Sequence, residues 1–300
     1  MERNKVLITG AGGYLGHELL RQLMKNDIPA IAMSSMPKKL ETEFTDAEKI
    51  EFVSNDYARE NSALWDSVDT VVHLAFARRF RPNSEIAESL LFSKKLFETV
   101  RDHQVPRLIN MSSQSVYGST ELMRTEKTRV SPEMIYSFAK YASEVVLDLA
   151  ISNTDTKATN IRLDSIAQNQ NLLPSLVRNS FEKSEITIVG GEQIFSLLDV
   201  RDAASALIDL IKTPGEVWKR EYNVGWNKTI YTLNQIADLV STHVKKHSGN
   251  EVKINRKPED IRTFDAGMDS TLFITDTGWT PKYDINAIIE AVIDAYLASK

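Results

Sequence analysis

The chain has 300 residues and a formal net charge of −5, with 42% hydrophobic and 26% charged residues, a composition typical of a soluble globular protein with one large or two smaller domains. Its mild acidity, with no block of Lys or Arg longer than two residues, argues against binding to nucleic acid or to an anionic membrane surface, and the absence of Cys excludes disulfides, thiolate metal sites and a thiol nucleophile. Because no apolar run approaches the roughly 20 residues of a membrane span and Val6-Leu7-Ile8 is too short for a signal peptide, we expect a cytoplasmic protein, and we predict no metal site.

Over the first 165 residues, short apolar runs alternate with longer amphipathic segments. The runs predict strands at Lys5–Thr9, Ala30–Met33, Ile50–Ser54, Thr70–Leu74, Arg107–Met111 and Thr159–Leu163. Apolar residues that recur at three- and four-residue spacing predict helices at Tyr14–Lys25, Ser84–Arg101 and Glu133–Ile151. This alternation is typical of parallel strands joined by crossover helices. The predicted fold class is therefore α/β, with a Rossmann-type doubly wound parallel sheet.

After about Ser165 the alternation becomes irregular. Strand-like pieces are predicted at Glu185–Val189, Glu221–Val224 and Glu251–Ile254. Helices are predicted near Val200–Ile211, Leu233–Lys246 and Ile285–Leu297. We therefore predict a dinucleotide-binding Rossmann domain over residues 1–165, rejoined by about residues 192–225, and a smaller C-terminal α/β substrate-binding region over residues 166–300.

A glycine-rich segment follows the first predicted strand and opens the first predicted helix. Gly10 permits a tight turn, Gly13 lets the backbone approach a pyrophosphate, and Gly16 lets the helix pack closely on the sheet. The start of the helix, at Tyr14 and Leu15, would face the anion. Such a segment can also be a plain connecting turn, but its position between a strand and a helix predicts dinucleotide binding.

The end of the second predicted strand indicates which dinucleotide binds. An NAD site of this kind usually has an Asp or Glu there, about 20 residues after the glycines, that holds the ribose 2′-hydroxyl. This chain instead carries the hydroxyls of Ser34 and Ser35 and the ammonium groups of Lys38 and Lys39. We therefore predict NADP as the preferred cofactor and NAD as the alternative, because the lysines can equally be solvated surface charge.

Tyr136 and Lys140 are four residues apart and so lie on one face of a predicted helix. A tyrosine that exchanges a proton near neutral pH needs its pKa of about 10 lowered, and a nearby ammonium group has that effect. The same spacing recurs at Tyr296 and Lys300, where we interpret it as accidental. What distinguishes Tyr136 is Ser113, at the end of a predicted strand, where open α/β sheets present ligand-binding groups.

These motifs together resemble the extended short-chain dehydrogenase/reductase family, the group of nucleotide-sugar epimerases, dehydratases and 4-keto reductases. The matches follow the order of the family over nearly the whole chain. They are Thr9–Gly16, Asp56, His73-Leu74-Ala75, Ser112-Ser113, Val116-Tyr117-Gly118, Tyr136, Lys140, Glu144, Arg162, Asp202, Tyr222-Asn223-Val224-Gly225, and Gly278-Trp279 with Pro281. The resemblance also suggests a homodimer that associates through helices such as Ser84–Arg101 and Glu133–Ile151.

The resemblance implies a role for individual residues. Tyr136 would be the general acid/base, Lys140 would hold the nicotinamide ribose and lower the tyrosine pKa, and Ser113 would orient the reacting oxygen. His73, between two apolar residues, is interpreted as a structural histidine. The further residues expected at the cofactor site are Asp56, Tyr57, Leu74, Ala75 and Met111.

Several positions depart from the family pattern. Where this chain has Ser113-Gln114-Ser115, the dehydratases of the resembled family have a Thr-Asp-Glu pattern. Removal of water needs an acid and a base beside the tyrosine, and because this chain has no carboxylate at these positions, we expect no dehydration. Ser89 and Ser165 replace Asn residues of the epimerase pattern. Phe195 replaces an Arg that binds a diphosphate in that pattern. Each of these losses removes a polar contact.

Candidate substrate contacts lie on several predicted loops. They are Phe76, Arg78, Ser113, Gln114, Ser165 and Lys257. The loop Arg78-Arg79-Phe80-Arg81 forms a cationic rim that either binds an anionic substrate or is solvated. Arg256, Lys257 and Arg262 either bind phosphate or are surface charge.

The sequence thus predicts an NAD(P)-dependent oxidoreductase, a nucleotide-sugar 4-keto reductase or 4-epimerase that uses Tyr136, Lys140 and Ser113. The absence of an acid after the second strand and the modest length favour the reductase slightly. The alternatives are a reductase of a non-sugar carbonyl compound, favoured by Phe195 and the lost polar contacts, and a non-catalytic protein that senses NADP.

Overall fold

The chain forms eleven strands among the residues that the computed structural model describes, which are 3–120, 123–169, 171–261 and 267–300. The strands are β1 (Lys5–Thr9), β2 (Ala30–Ser34), β3 (Ile50–Ser54), β4 (Val68–His73), β5 (Arg107–Ser113), β6 (Lys157–Leu163), β7 (Glu185–Val189), β8 (Ile194–Ser196), β9 (Glu221–Val224), β10 (Ile230–Thr232) and β11 (Lys253–Lys257). Seven of them make one parallel sheet in the order β3-β2-β1-β4-β5-β6-β9. The order reverses between β1 and β4, which is where open α/β sheets bind ligands.

The described residues also form ten α-helices. They are α1 (Tyr14–Lys25), α2 (Pro37–Glu43), α3 (Asn55–Glu60), α4 (Asn83–Asp102), α5 (Ile135–Ile151), α6 (Leu172–Lys183), α7 (Val200–Lys212), α8 (Leu233–Ser248), α9 (Thr271–Thr277) and α10 (Ile285–Ala298). None of them is long and apolar enough to span a membrane.

Helices cover both faces of the seven-stranded sheet because successive strand residues point to opposite sides. Ile8 of β1 and Ile109 of β5 pack in the core beneath α1 and α7. Their neighbours Leu7 and Leu108 pack in the opposite core, beneath α4 and α5. The predicted doubly wound parallel sheet is therefore confirmed.

A third core holds the second region together, with apolar side chains from α6, α8, α10 and β7. This region contains two small sheets, the antiparallel pair β8–β10 and the parallel pair β7–β11. The chain returns to the large sheet at β9. Asp202 of α7 ties the two regions together, since its carboxylate accepts hydrogen bonds of 2.9 Å from the backbone N–H groups of Lys282 and Tyr283.

The predicted elements differ from the observed ones mainly at their ends and where they are short. The helix predicted from Glu133 begins at Ile135, and the strand predicted at Glu251–Ile254 is displaced to Lys253–Lys257. The sequence interpretation missed α2, α3, α6, α9, β8 and β10. Most of these are short: β8 and β10 have three residues each, and α2, α3 and α9 have six or seven, too few to show a hydrophobic period.

Candidate active site

A cavity of about 310 Å³ opens at the carboxyl edge of the large sheet. It is bordered by the glycine-rich segment, the loop after β4, the end of β5, the start of α5 and the segment after β6. The lining residues that the sequence predicted for the cofactor are Gly10, Gly13, Tyr14, Leu15, Gly16, Leu74, Met111, Tyr136 and Lys140. Those predicted for the substrate are Phe76, Arg78, Ser113, Gln114 and Ser165. The fold thus gathers most of the predicted residues around one space.

The glycine-rich segment is packed too closely for larger residues. Gly10 has a φ of +69°, and a Cβ there would lie 2.7 Å from the backbone nitrogen of Ala75. A Cβ on Gly16 would lie 2.5 Å from the carbonyl oxygen of Gly10. Helix α1 follows at once, with no side-chain cap from Gly13 and no acidic residue in its first turn. This end of the cavity therefore fits the pyrophosphate of a dinucleotide, by close backbone approach and free helix N–H groups.

His73 is the last residue of β4 and is buried, and both of its ring nitrogens are hydrogen-bonded. Its Nδ1 lies 2.7 Å from the hydroxyl of Thr9, and its Nε2 lies 2.8 Å from the hydroxyl of Ser93. Since Ser93 donates to the carbonyl oxygen of Ser89, it accepts from Nε2–H. Burial, aided by the charge of Lys140, lowers the pKa of His73 to about 3. The interpretation of His73 as a structural histidine is confirmed, because both ring nitrogens have partners.

Ser89 holds the loop that follows β4. Its hydroxyl accepts a hydrogen bond of 2.9 Å from the backbone N–H of Ala77 and donates to the carbonyl oxygen of Glu85. Ser89 therefore still anchors the loop through hydrogen bonds, although the Asn of the epimerase pattern is absent. The loop carries Phe76 and Arg78 into the cavity lining.

Tyr136 and Ser113 both line the cavity, and their side chains are hydrogen-bonded to each other. Ser113 ends β5, and its Oγ accepts hydrogen bonds from the backbone N–H and the hydroxyl of Ser115, at 3.2 and 3.0 Å. Burial raises the pKa of Tyr136 to about 12, although its hydrogen bond with Ser113 and the charge of Arg79 act in the opposite direction. Tyr136 is therefore a neutral phenol at physiological pH, placed beside a hydroxyl that can bind the same substrate oxygen.

Lys140 lies one helical turn after Tyr136, but its ammonium group is bonded to the backbone of Met111. Its Nζ donates a hydrogen bond of 2.7 Å to the carbonyl oxygen of Met111 and lies 4.0 Å from the centre of the Phe76 ring. Burial lowers the pKa of Lys140 to about 7, against the opposing effect of Glu144. The expected lowering of the Tyr136 pKa by Lys140 is therefore not observed, because burial of the phenol dominates and the ammonium is fixed to Met111.

A buried polar network supports the site from below. Glu144 of α5 pairs with Arg162 of β6, and Arg162 also donates to the hydroxyl of Tyr117 at 3.0 Å. Tyr117 in turn donates to the side-chain oxygen of Asn223 at 2.7 Å. Arg162 and Asn223, which the resemblance singled out, thus act on the position of α5, β6 and β9, and are absent from the cavity lining.

Gln114 lines the cavity, and both polar atoms of its side-chain amide are hydrogen-bonded. Its amide nitrogen donates to the hydroxyl of Ser165 at 3.1 Å, and its oxygen accepts from the Arg124 guanidinium. Ser165 therefore lines the cavity itself and also holds the Gln114 side chain.

The residues that were predicted to bind the adenosine half of the dinucleotide lie outside this cavity. Ser34 faces the glycine-rich segment, since a Cβ on Gly12 would lie 3.0 Å from its Oγ. Ser35 and Lys38 are exposed at the end of β2 and the start of α2. Asp56 pairs with Arg59 at 2.9 Å. Tyr57 is exposed and its hydroxyl accepts from Asn61, while Ala75 presents its backbone to Gly10.

Two predicted phosphate or substrate contacts are not brought to the cavity. Lys257 ends β11 and pairs in register with Val189 of β7, and Arg256 binds Asp238. Arg262 lies outside the described residues. Phe195 of β8 packs against the third core and is absent from the cavity lining.

The sequence interpretation missed an acidic residue in the cavity lining. Asp164 follows β6 directly and accepts hydrogen bonds from the backbone N–H of Ser165, at 2.7 Å, and from the Ser196 hydroxyl. Its position at the carboxyl end of a parallel strand was the available signal. The other lining residues that were not predicted as contacts are Ala77, Ser112, Ser115, Met134, Leu163, Ile166 and Asn169, whereas Arg79 and Phe80 belong to the loop that was predicted as a cationic rim. Among the residues that the structure describes, no group of three or more His, Asp or Glu side chains could hold a metal ion.

Comparison with known proteins places this site in a family context. Residues 6–225 match the NAD dependent epimerase/dehydratase family. The chain is 24% identical to a dTDP-glucose 4,6-dehydratase of Escherichia coli, over 98% of this chain and 93% of the relative. It is 22% identical to a dTDP-4-dehydro-6-deoxyglucose reductase of Escherichia coli, over 97% of each chain.

Solved structures agree on the fold. The UDP-glucuronic acid 4-epimerase from Bacillus cereus, in complex with UDP-glucuronic acid and NAD, superposes with a TM-score of 0.84 and 19% identity, over 99% of this chain and 100% of that structure. TunA, an NAD-dependent NDP-hexosamine 5,6-dehydratase, superposes with a TM-score of 0.82 and 18% identity, over 99% and 98% of the two chains. Because the family match extends from β1 to β9 and so includes every element that borders the cavity, the chain belongs to the NAD-dependent epimerase/dehydratase family.

Proposed function

We propose that the protein transfers a hydride at C4 of a nucleotide-linked sugar, as a 4-keto reductase that consumes NADPH. The observation that carries this proposal is the convergence of Tyr136, Ser113 and Lys140 on the cavity that the glycine-rich segment borders. The relatives that act on nucleotide sugars, among them a dTDP-4-dehydro-6-deoxyglucose reductase, support the substrate class.

The side chains at the cavity suit transfer of a proton to a carbonyl oxygen. In the proposed reaction a carbonyl gains a hydride at carbon and a proton at oxygen, and the bound dinucleotide supplies the hydride. Tyr136, a phenol whose pKa is about 12, donates the proton to the new alkoxide. Ser113 donates a hydrogen bond to the same oxygen, and Lys140 holds the nicotinamide ribose.

Dehydration is disfavoured by the groups beside Tyr136. Removal of water needs a further acid and base next to the phenol, and the corresponding position carries the amide of Gln114. The carboxylate of Asp164 already accepts hydrogen bonds from Ser165 and Ser196. We therefore infer that the chain differs in activity from its dehydratase relatives.

The preference for NADPH is inferred from the end of β2. Ser34 lies against the glycine-rich segment and Lys38 is exposed in the first turn of α2, while no Asp or Glu follows β2 before Glu41. An exposed ammonium suits a 2′-phosphate. Solved relatives are described in complex with NAD, so the choice between the two dinucleotides is part of the test below.

A homodimer through α4 and α5 is proposed on the apolar surface of these helices. Leu91 of α4 is 60% exposed, and Phe138 and Leu149 of α5 are 57% and 71% exposed. Large exposed apolar side chains on adjacent helices are typical of an interface. Sedimentation of the purified protein would show a dimer, and Leu149→Glu would shift it to a monomer.

The first experiment identifies the dinucleotide and the product together. The purified protein is denatured, any released dinucleotide is identified by mass spectrometry, and NADPH and NADH are titrated against the dinucleotide-free protein. The protein is then incubated with dTDP- and UDP-linked sugars and their 4-keto forms. A reductase would be free of cofactor, would prefer NADPH and would give a product two hydrogen atoms heavier.

Two other results would overturn parts of this proposal. Tightly held NAD and a product of unchanged mass would identify a 4-epimerase. A product lighter by one water would identify a dehydratase and would show that Gln114 does not prevent elimination.

A further inference from the structure

A buried arginine lies behind the wall of the cavity. Arg124 is 3% exposed and does not itself line the cavity. Its backbone N–H donates to the carbonyl oxygen of Gly267 at 3.1 Å, and its carbonyl oxygen accepts from the backbone N–H of Asp269 at 2.8 Å. Its guanidinium donates to the carbonyl oxygen of Gly118, at 3.1 Å, and to the side-chain oxygen of Gln114. Backbone and side chain are therefore both held, and the guanidinium is fixed against Gln114.

The contact with Arg124 determines how the amide of Gln114 is oriented. A guanidinium carries hydrogen-bond donors and no acceptor, so the atom that faces it is the amide oxygen. The amide nitrogen then faces Ser165, whose Oγ accepts its hydrogen bond at 3.1 Å. With the amide turned over, its NH₂ group would meet the N–H of the guanidinium, and a buried donor that faces another donor is costly. Arg124 thus permits one orientation of Gln114.

The orientation of Gln114 in turn sets the role of the Ser165 hydroxyl. Because the Oγ of Ser165 accepts from Gln114, the single proton of this hydroxyl remains to be donated. The backbone of Ser165 is fixed, since its N–H donates to the Asp164 carboxylate at 2.7 Å and its carbonyl oxygen accepts from the N–H of Leu198 at 2.8 Å. In the part of the chain that the structure describes, the Ser165 proton has no acceptor, and Ser165 lines the cavity.

We propose that Arg124 is a positioning residue that, through Gln114, directs the Ser165 proton into the cavity, where Ser165 donates it in a hydrogen bond to an oxygen of the substrate. This inference rests on the proposed function and deepens it by naming a residue that acts on substrate binding from behind the cavity wall. With Gln114 in the opposite orientation, Ser165 would donate to the amide oxygen and would present a lone pair to the substrate. Oxygens of the sugar and of the diphosphate both have the accepting chemistry that this arrangement requires.

A reversal of this polarity tests the inference. The carboxylate introduced by Gln114→Glu has only acceptors, so it still binds Arg124 but takes the Ser165 proton. UDP-glucose and dTDP-glucose are titrated calorimetrically into the protein saturated with the reduced dinucleotide. Ser165→Ala should raise the Kd about 3- to 10-fold in the wild-type background, as expected for loss of one hydrogen bond, and less than about 2-fold in the Gln114→Glu background. Ser299→Ala, which removes an exposed hydroxyl after α10, is the control and should leave both Kd values unchanged.

Variants of Arg124 separate positioning from a merely structural role. Arg124→Lys keeps a group that only donates, so Ser165→Ala should still weaken binding in that background. Arg124→Met frees the amide of Gln114 to turn over, so the effect of Ser165→Ala should diminish. If Arg124→Met does not fold, the comparison of Gln114→Glu with Ser165→Ala still decides the question.

Titration with UDP identifies the oxygen that accepts the proton. If Ser165→Ala weakens UDP and UDP-glucose equally, the oxygen belongs to the diphosphate. If it weakens UDP-glucose alone, the oxygen belongs to the sugar. Either result supports the inference.

Three other results would overturn it. Equal Kd values for the wild type and Ser165→Ala would show that Ser165 donates nothing to the substrate, and the proposed function would stand. An undiminished effect of Ser165→Ala in the Gln114→Glu background would show that Gln114 does not direct the proton. If no nucleotide sugar binds the wild type, the proposed function fails and the inference fails with it.

Discussion

Glu144 of α5 and Arg162 of β6 form a two-point ion pair in the interior, with Oε2–Nη2 and Oε1–Nε distances of 2.8 and 3.1 Å. Their side chains are 3% and 5% exposed. Ser112 of β5 donates a hydrogen bond to the same carboxylate. The pair therefore joins the helix that carries Tyr136 to the two strands whose ends form the cavity.

Loss of the Glu144 charge should destabilise the protein strongly. Glu144→Gln leaves Arg162 with an uncompensated buried charge, so we expect the free energy of unfolding to fall by about 3–5 kcal/mol. The control is Glu98→Gln, which removes the partner of Lys94 in a pair on the surface of α4, and should change it by less than about 1 kcal/mol. Urea denaturation of both variants provides the measurement. Equal losses in the two variants would show that the buried pair has no special role.

Tyr136→Phe should abolish turnover without loss of cofactor binding. Removal of the phenol takes away the proton donor, so we expect the rate to fall by about 10²- to 10⁴-fold. Tyr296→Phe is a matched control, because Tyr296 has the same spacing to a lysine but stacks on Phe181 in the second region. Turnover is measured with the nucleotide sugar found in the product screen, and NADPH binding by fluorescence titration. Full activity of Tyr136→Phe would show that another group donates the proton.

The sequence was informative where a local pattern directly determines the structure. The helix Tyr14–Lys25 was predicted at its observed bounds, because it buries Leu19 and Leu23 on one face and begins at the glycine-rich segment. Strand ends correctly located Ser113 and Gln114 at the cavity, since the carboxyl ends of parallel strands meet at one edge of a sheet.

Contacts that depend on tertiary packing could not be predicted. The bond from Lys140 goes to the backbone oxygen of Met111, and a backbone acceptor leaves no trace in the sequence. The pKa of Tyr136 depends on how deeply the phenol is buried. Lys257 was predicted to bind phosphate only because it is positively charged. Its strand, β11, pairs with β7, and Lys257 is absent from the cavity lining.

Gly16→Ala should impair dinucleotide binding through backbone crowding. The added Cβ would lie 2.5 Å from the carbonyl oxygen of Gly10 and 2.6 Å from that of Ala11, so α1 must move away from the segment. We expect the Kd for NADPH to rise at least about 10-fold and the free energy of unfolding to fall by about 1–3 kcal/mol. Gly12→Ala is the control, because its Cβ would meet only the rotatable hydroxyl of Ser34, at 3.0 Å. Fluorescence titration measures both Kd values, and a larger loss in Gly12→Ala would contradict this account.

Lys140 should make the protein more stable as the pH rises above 7. Burial lowers its folded-state pKa to about 7, whereas the pKa of an unfolded lysine is about 10.4. Between these values the unfolded chain binds the additional proton, so the free energy of unfolding should increase by up to about 1.4 kcal/mol per pH unit. Below pH 7 both states are protonated and this contribution is constant. Urea unfolding at pH 6, 7, 8 and 9 would measure it as the wild type minus Lys140→Met, with Lys94→Met as the surface control. A flat difference from pH 7 to 9 would show that the folded state keeps Lys140 charged, and that the carboxylate of Glu144 outweighs its burial.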